Sequence, residues 1–263
     1  MVKRYRNKKR RTRKKVIRGG SNSTLVLYVF HEYNCRVKHF IEHALFKSPN
    51  VTFLFVWNTT KNKDVHFEIP EYVTVLKREN MGYDFGAWSY GLFHEDNYKK
   101  YDNFVFVNSS VYGPFLKEGE LREMWVKKYL DGLNDTVKLF GSTINTIKNT
   151  KKLIHVQSYI YCMKKETVKF LVDKELFSLT NISKTFDEAI NKEIGMSRLI
   201  IDNGWNIGCL HKHYEGEDFK NVTDAKWIRY MDDIMYPEYI HSQPQSIYQE
   251  LVFVKGNRLS MPC

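Results

Sequence analysis

Apolar residues along this chain come first in short unbroken runs and then in helically spaced sets. TLVLYVFHEY (24–33) is a continuous run of the kind expected for a strand buried on both faces. CRVKHFIEHALFK (35–47) instead places Val37, Phe40, Ile41, Ala44 and Leu45 at helical spacing, and Pro49 stands past its end. VTFLFVW (51–57) and YVTVLKR (72–78) predict a second and a third strand, with Pro70-Glu71 as punctuation between them. AWSYGLFHE (87–95), apolar at 87, 88, 92 and 93, predicts a helix starting near residue 85. Further strands are predicted in DNFVFVNSSVYGP (102–114), in VKLFGSTIN (137–145, a strand with a loop) and in the alternating HVQSYIYCM (155–163). ETVKFLVDKELF (166–177) and FDEAINKEIGMSRLIIDNGW (186–205) read as helices, the second closed by Gly204, and NIGCLHKHY (206–214) as a late strand. Strands alternating with helices predict an α/β domain with a mostly parallel sheet.

Two places interrupt this pattern. In KRENMGYDFGAWSYGL (77–92), Gly82 and Gly86 sit between the end of a strand and the start of a helix. An open α/β sheet binds phosphorylated ligands there, because free N–H groups and the helix dipole face the anion; the geometry of the turn alone would also call for the glycines. The run FVFV (104–107) ends in three small polar residues, Asn108, Ser109 and Ser110, followed by Gly113-Pro114. Polar side chains at the end of a buried strand are costly unless they face a ligand crevice, which makes this a second candidate element of a site.

Composition places the chain among globular proteins. With 263 residues, 43% hydrophobic and 15% aromatic, it can bury the core of one large domain or two small ones. Fourteen glycines and six prolines without a period exclude collagen-like and low-complexity classes. The net charge of +11 invites a nucleic-acid reading, but eleven of the 41 Lys/Arg lie within residues 1–19, which leaves 30 basic against 30 acidic residues elsewhere. Residues 1–22 therefore read as a disordered basic arm, a solvated tail or a weak contact for a polyanion or an anionic membrane surface. No window has the roughly 18 apolar residues of a membrane span, and the basic N-terminus lacks the apolar region of a signal peptide, so a soluble, cytoplasmic protein is expected, peripheral to a membrane at most. Cys35, Cys162, Cys209 and Cys263 have no CxxC spacing and are expected to be reduced. Sequons at Asn58 and Asn108 are expected to be chance matches.

Taken in order, RENMGYDFGAW, YDNFVFVNSSVYGPF, VKLFGSTI, HVQSYIYCM, EIGMSRLIIDNGWNI and ELVFVKGNR resemble the blocks of the rhamnan synthesis protein F type glycosyltransferases and their eukaryotic and viral relatives, over about residues 24–259. The resemblance implies a GT-A-like, Rossmann-type nucleotide-sugar domain over residues 23–263, with a donor half about 23–145 and an acceptor half about 146–263. It implies transfer of a sugar, rhamnose first, from a nucleotide-diphosphate sugar to a glycan hydroxyl. A non-catalytic GT-A-like protein that uses its basic arm to hold nucleic acid or an anionic surface is the alternative.

On that resemblance, Arg78, Asn80, Gly82, Asp84 and Gly86 hold the donor, with Asp84 either bonded to ribose, base or sugar or capping the next helix. Asn108, Ser109 and Ser110 stand where many GT-A enzymes carry the Asp-x-Asp that holds Mg²⁺ or Mn²⁺, so metal dependence is left open. His211 and His213, on one face of the late strand, are either metal ligands or ordinary core and surface residues. Without a metal, the helix N-terminus near 86, Lys77, Arg78 or His155 would have to stabilise the diphosphate. His155 and Gln157 would face the donor sugar. An inverting transfer needs a base for the acceptor hydroxyl; Glu193, eleven residues before Gly204, fits best, with Asp187 and Glu188 as rivals and His155 next. The helix carrying Glu193 is expected to turn Ile190, Ile194 and Leu199 to the core.

Overall fold

The structure, a computed structural model, describes residues 22–59, 67–146, 150–224, 232–259 and 261. The basic arm expected over residues 1–22 lies, but for its last residue, outside the described residues. The unbroken apolar runs become the middle of one seven-stranded sheet. In chain order its strands are β1 (Thr24–Phe30), β2 (Val51–Thr59), β3 (Thr74–Glu79), β4 (Asn103–Asn108), β6 (Val137–Gly141), β9 (Ile160–Lys164) and β10 (Asn206–Cys209). The short strands β5 (Val111–Tyr112), β7 (Ile144–Asn145), β8 (His155–Val156) and β11 (Val254–Lys255) form two small ladders beside it.

Across the sheet the order is β10-β6-β9-β4-β1-β2-β3. β1 pairs in parallel with both β2 and β4, which puts Tyr28 opposite Phe55 on one side and Val107 on the other. β2 and β3 are parallel, as are β6 and β10, while β9 runs antiparallel between β4 and β6. The sheet is therefore mostly parallel and Rossmann-like, as the alternation of strand and helix predicts.

Helices α1 (Cys35–His43), α2 (Tyr83–Phe93), α3 (Asn97–Lys100), α4 (Met124–Leu130), α5 (Lys165–Asp173) and α6 (Phe186–Asp202) cover both faces. Leu25, Leu27 and Val29 of β1 pack with Trp88 and Leu92 of α2, Leu171 of α5 and Ile200 of α6. The alternate residues Val26, Tyr28 and Phe30 pack with Val37 and Phe40 of α1 and Trp125 of α4. Strand side chains alternate between faces, so one apolar run serves both layers. Fully burying each such side chain contributes about 1.5–3 kcal/mol. No helix among the described residues is long and apolar enough to cross a membrane.

Several boundaries differ from the sequence expectation. The first strand stops at Phe30, and the first helix at His43 after an N-cap in which Asn34 accepts from the N–H groups of Arg36 and Val37. HVQSYIYCM is two elements, β8 and β9, and β9 is a buried strand rather than a half-exposed alternating one. NIGCLHKHY holds its strand only to Cys209; residues 212–214 form a 3₁₀ turn, so His211 is buried and His213 exposed instead of sharing a strand face. In α6 the buried residues are Met196, Ser197, Ile200 and Ile201, with Ile190, Ile194 and Leu199 at its margins. Helix α4 had no expectation, because WVKKYL is too short for its period to register. Cys35 is disulfide-bonded, which corrects the expectation of reduced cysteines; among the described residues Cys162 and Cys209 are free and buried. Sequence spacing carries no information about which thiols meet in space.

Helix α2 starts earlier than expected because Gly82, at φ +74°, is its N-cap and Gly86 N–H already donates to Gly82 O at 2.7 Å. The carbonyl of Met81 is held by Arg78 Nη2 at 3.0 Å, and a Cβ on Gly86 would fall 2.6 Å from that oxygen. Gly86→Ala is expected to cost about 1–3 kcal/mol, read as a lower urea midpoint at unchanged slope.

Candidate functional site

Because β3, β2, β1 and β4 are adjacent and parallel, their carboxyl ends open on one edge of the sheet. The chain leaves β1 through α1 towards β2 and returns from β3 through α2 to β4 on the other side of β1. Crevices that bind ligands in open α/β sheets lie at such a reversal. A cleft of about 920 Å³ occupies it. His31 follows β1, Asn58 lies near the end of β2, Asn80 follows β3, and Asn108 ends β4; all four line the cleft. Residues 182–184 and Phe186, before and at the start of α6, complete the lining beside the glycine loop, where a Cβ on Gly82 would fall 3.1 Å from Ile182 Cβ.

Asp84 sits on the cleft surface in the first turn of α2. It does not cap that helix. Asn108 Nδ2 donates to its Oδ2 at 2.8 Å and ties the glycine loop to the end of β4. Asn108 Oδ1 accepts from both Ser110 N–H, at 3.0 Å, and Ser110 Oγ, at 2.5 Å. Ser109 O accepts from Arg36 Nε at 3.1 Å. The three small polar residues are thus a turn closed on itself and braced by α1.

Burial raises the Asp84 carboxyl from its ordinary value to about 6; the Asn108 hydrogen bond opposes the rise, the Glu193 charge adds to it, and His31 and Lys255 pull it down. Glu193, on α6, accepts from the Ser158 N–H through Oε1 at 2.5 Å. Its charge is felt by Asp84, Lys255 and the buried Tyr161 alike, which brings two carboxylates and a lysine from three distant segments to one place. Burial lowers the Lys255 ammonium, against the pull of Glu193.

Of the residues expected to hold the donor, Asn80, Gly82, Asp84, Asn108, Ser109 and Ser110 share the cleft. Arg78 is outside the lining and holds the Met81 carbonyl, and Gly86, also outside it, lets that carbonyl approach the first turn of α2. His155 and Gln157 are elsewhere and buried: His155 Nδ1 is 2.6 Å from Leu153 O, and Gln157 Oε1 accepts from Thr143 Oγ1 at 2.7 Å. Glu193 lies beyond Asp84, outside the cleft lining. Asp187 is exposed; Thr185 Oγ1 accepts from Glu188 N–H and so caps α6, while Glu188 Oε2 reaches back to accept from Lys184 N–H at 2.6 Å. His211 and His213 line a separate surface pocket of about 420 Å³, their rings 5.9 Å apart, and burial lowers His211 to about 4. No group of three or more His, Cys, Asp or Glu suited to a metal occurs among the described residues.

His31, Arg36, Asn58, Lys184 and Asn257 also line the cleft and were not anticipated, nor was Lys255 beside Asp84. His31 and Asn58 carry the same signal that singled out Asn108, a polar residue closing an apolar run. Asn58 Oδ1 and Ser183 Oγ, both on the cleft wall and buried, have no hydrogen-bond partner among the described residues. Of the asparagines in sequons, Asn58 and Asn108 are buried in this cleft.

Fold and cleft together define a Rossmann-like α/β protein with a polar crevice at its topological switch point. The model of the family described as rhamnan synthesis protein F matches residues 53–240, and the chain belongs to that family. It is also similar to the virulence protein VirA of Vibrio anguillarum, in strain ATCC 68554 / 775 and in a second record of the species, at 28% identity over 142 residues. That match covers 52% of this chain and 41% of the relative, so the chain spans less than half the length of the relatives it matches.

Proposed function

We propose that the protein is a glycosyltransferase of GT-A type that moves a sugar, rhamnose being the first candidate, from a nucleoside-diphosphate donor to a glycan hydroxyl with inversion. The observation that carries this reading is the cleft at the switch point, whose polar residues come from four strand ends and the glycine loop. Family membership supports sugar transfer in general terms. On this reading residues 23–145 supply the donor half and residues 146–263 the acceptor half.

The nucleoside would lie towards β2 and β3, where Asn58 Oδ1 and Ser183 Oγ lack partners among the described residues and a ligand could supply them. The diphosphate would lie between the ends of β1 and β4, beside residues 108–110. In an inverting transfer the acceptor oxygen attacks the anomeric carbon from the face opposite the leaving phosphate. The base must then stand apart from the leaving phosphate; because Asp84 is bonded to Asn108 beside the turn that would take the diphosphate, we assign the base to Glu193 of α6, whose charge reaches Asp84 from just outside the cleft lining. The acceptor O–H proton passes to Glu193 as the new C–O bond forms, and the bond from the anomeric carbon to the phosphate oxygen breaks.

The test is a panel of nucleotide sugars followed by thermal stability, with turnover measured for any that bind. A specific donor at a hundred times its Kd is expected to add about 2.7 kcal/mol. A panel without a single stabilising member would end the reading.

A further inference from the structure

We propose that the donor diphosphate is neutralised by two side chains of this chain, Arg36 and Lys255, and not by a divalent cation; the inference rests on the glycosyltransferase reading. The groups at the end of β4 do not fit a metal. Mg²⁺ and Mn²⁺ want several free oxygen donors, carboxylates above all. Here Asn108 Oδ1 is occupied by two hydrogen bonds from Ser110, Ser109 O is occupied by Arg36, and the one carboxylate at hand, Asp84, gives its Oδ2 to the Asn108 amide, a poor substitute for the paired carboxylates of an Asp-x-Asp.

Cations are built into the same place by tertiary contacts. Arg36 spends its Nε on Ser109 O and lines the cleft, so its guanidinium stands at the gap between β1 and β4. Lys255 arrives on β11, which pairs antiparallel with β5 and sets Lys255 opposite Val111, the residue after Ser110. Gly256 makes this approach feasible: a Cβ there would fall 2.6 Å from Tyr112 Cβ and 3.3 Å from Arg36 Cδ. Asn257, one residue on, lines the cleft.

The nearby charges fit the role. Lys255 faces the carboxylates of Glu193, Asp84 and Asp233 and the cation of Arg258. Arg258 is bound to Asp233 at 2.5 Å; of the other basic groups at the cleft, Lys184 comes from the segment before α6 and His31 from the end of β1, whereas Arg36 and Lys255 are the two held against the turn that follows β4. The cations suggested by the sequence are engaged elsewhere. Lys77 lies over the Trp57 ring at 4.7 Å, Arg78 holds Met81 O, and His155 meets Leu153 O. Arginine and lysine beside a leaving diphosphate supply charge stabilisation in a partly dry site, where it counts for more than in water.

The experiment titrates the full chain with UDP, dTDP, GDP, CDP and ADP, in chelator and again with Mg²⁺ or Mn²⁺ added. At least one diphosphate is expected to bind in chelator, with affinity changed less than about threefold by metal, since the charge is already met. Arg36→Met and Lys255→Met are each expected to weaken that diphosphate by about ten- to a hundredfold. Affinity for the matching nucleoside should stay the same, which shows that the cleft still folds, and Lys255→Arg should recover most of the loss. Binding that requires metal, or variants that bind diphosphate as the wild type does, overturns the inference while the glycosyltransferase reading stands. Failure of every diphosphate under both conditions overturns that reading, and the inference with it.

Discussion

Glu193→Gln is expected to lower kcat by about 10²- to 10⁴-fold while leaving donor affinity nearly unchanged, the usual worth of a general base. Glutamine keeps the shape of the side chain, and its carbonyl accepts the Ser158 N–H bond that Glu193 Oε1 now takes. It cannot take a proton from an acceptor hydroxyl. The rivals on the same helix should behave differently. Asp187 is exposed in the first turn of α6, and Glu188 accepts from Lys184 N–H beside the Thr185 cap, a bond whose acceptor oxygen survives in Gln. Asp187→Asn and Glu188→Gln are therefore expected to retain most turnover. The measurement is kcat set against donor Kd for the three variants. Wild-type turnover in Glu193→Gln alongside an inactive neighbour moves the base to that neighbour. With all three active, His31 on the cleft surface is the next residue to test, because His155 is buried away from it.

Asp84→Asn is expected to stabilise the protein near neutral pH and to weaken donor binding by tenfold or more, the scale of one lost hydrogen bond to a charged group. The folded-state value of about 6 lies above the ordinary 3.8, so the folded protein holds this proton more tightly than the unfolded chain. Between those two values stability falls as pH rises, and above about 6 the whole penalty of a desolvated carboxylate is present. Asparagine removes the charge and still accepts the bond from Asn108 Nδ2. The gain should be about 1–3 kcal/mol above pH 6 and should vanish below the ordinary carboxylate range, at about pH 4. Urea unfolding of both proteins across that range measures it. A variant less stable than the wild type at every pH would show that Asp84 is a structural carboxylate. The expected opposition, stability gained and binding lost, is characteristic of a strained functional residue.

The sequence by itself determined the α/β class, the mostly parallel sheet and the position of the loop at residues 80–86. Each depends on local properties: apolar runs long enough to be buried on both faces, a 3.6-residue period, and glycines where a strand must turn into a helix. Half of the cleft was legible for the same reason, since Asn80, Asp84 and Asn108 close apolar runs or follow them. Only the tertiary structure decided the other half. Arg36 and Asn257 reach the cleft from α1 and from the turn after the last strand, Lys255 comes close enough to act on Asp84, and Cys35 finds its disulfide, through contacts that no local spacing encodes. The same holds for what each polar group does once folded. Asp84 meets Asn108 across 24 residues and Glu193 meets Ser158 across 35, whereas His155 and Gln157 are spent on neighbours inside the core. A residue's type fixes which bonds it can make, but long-range chain closure fixes which partner satisfies it, and a side chain already satisfied in the core is not free to serve a ligand.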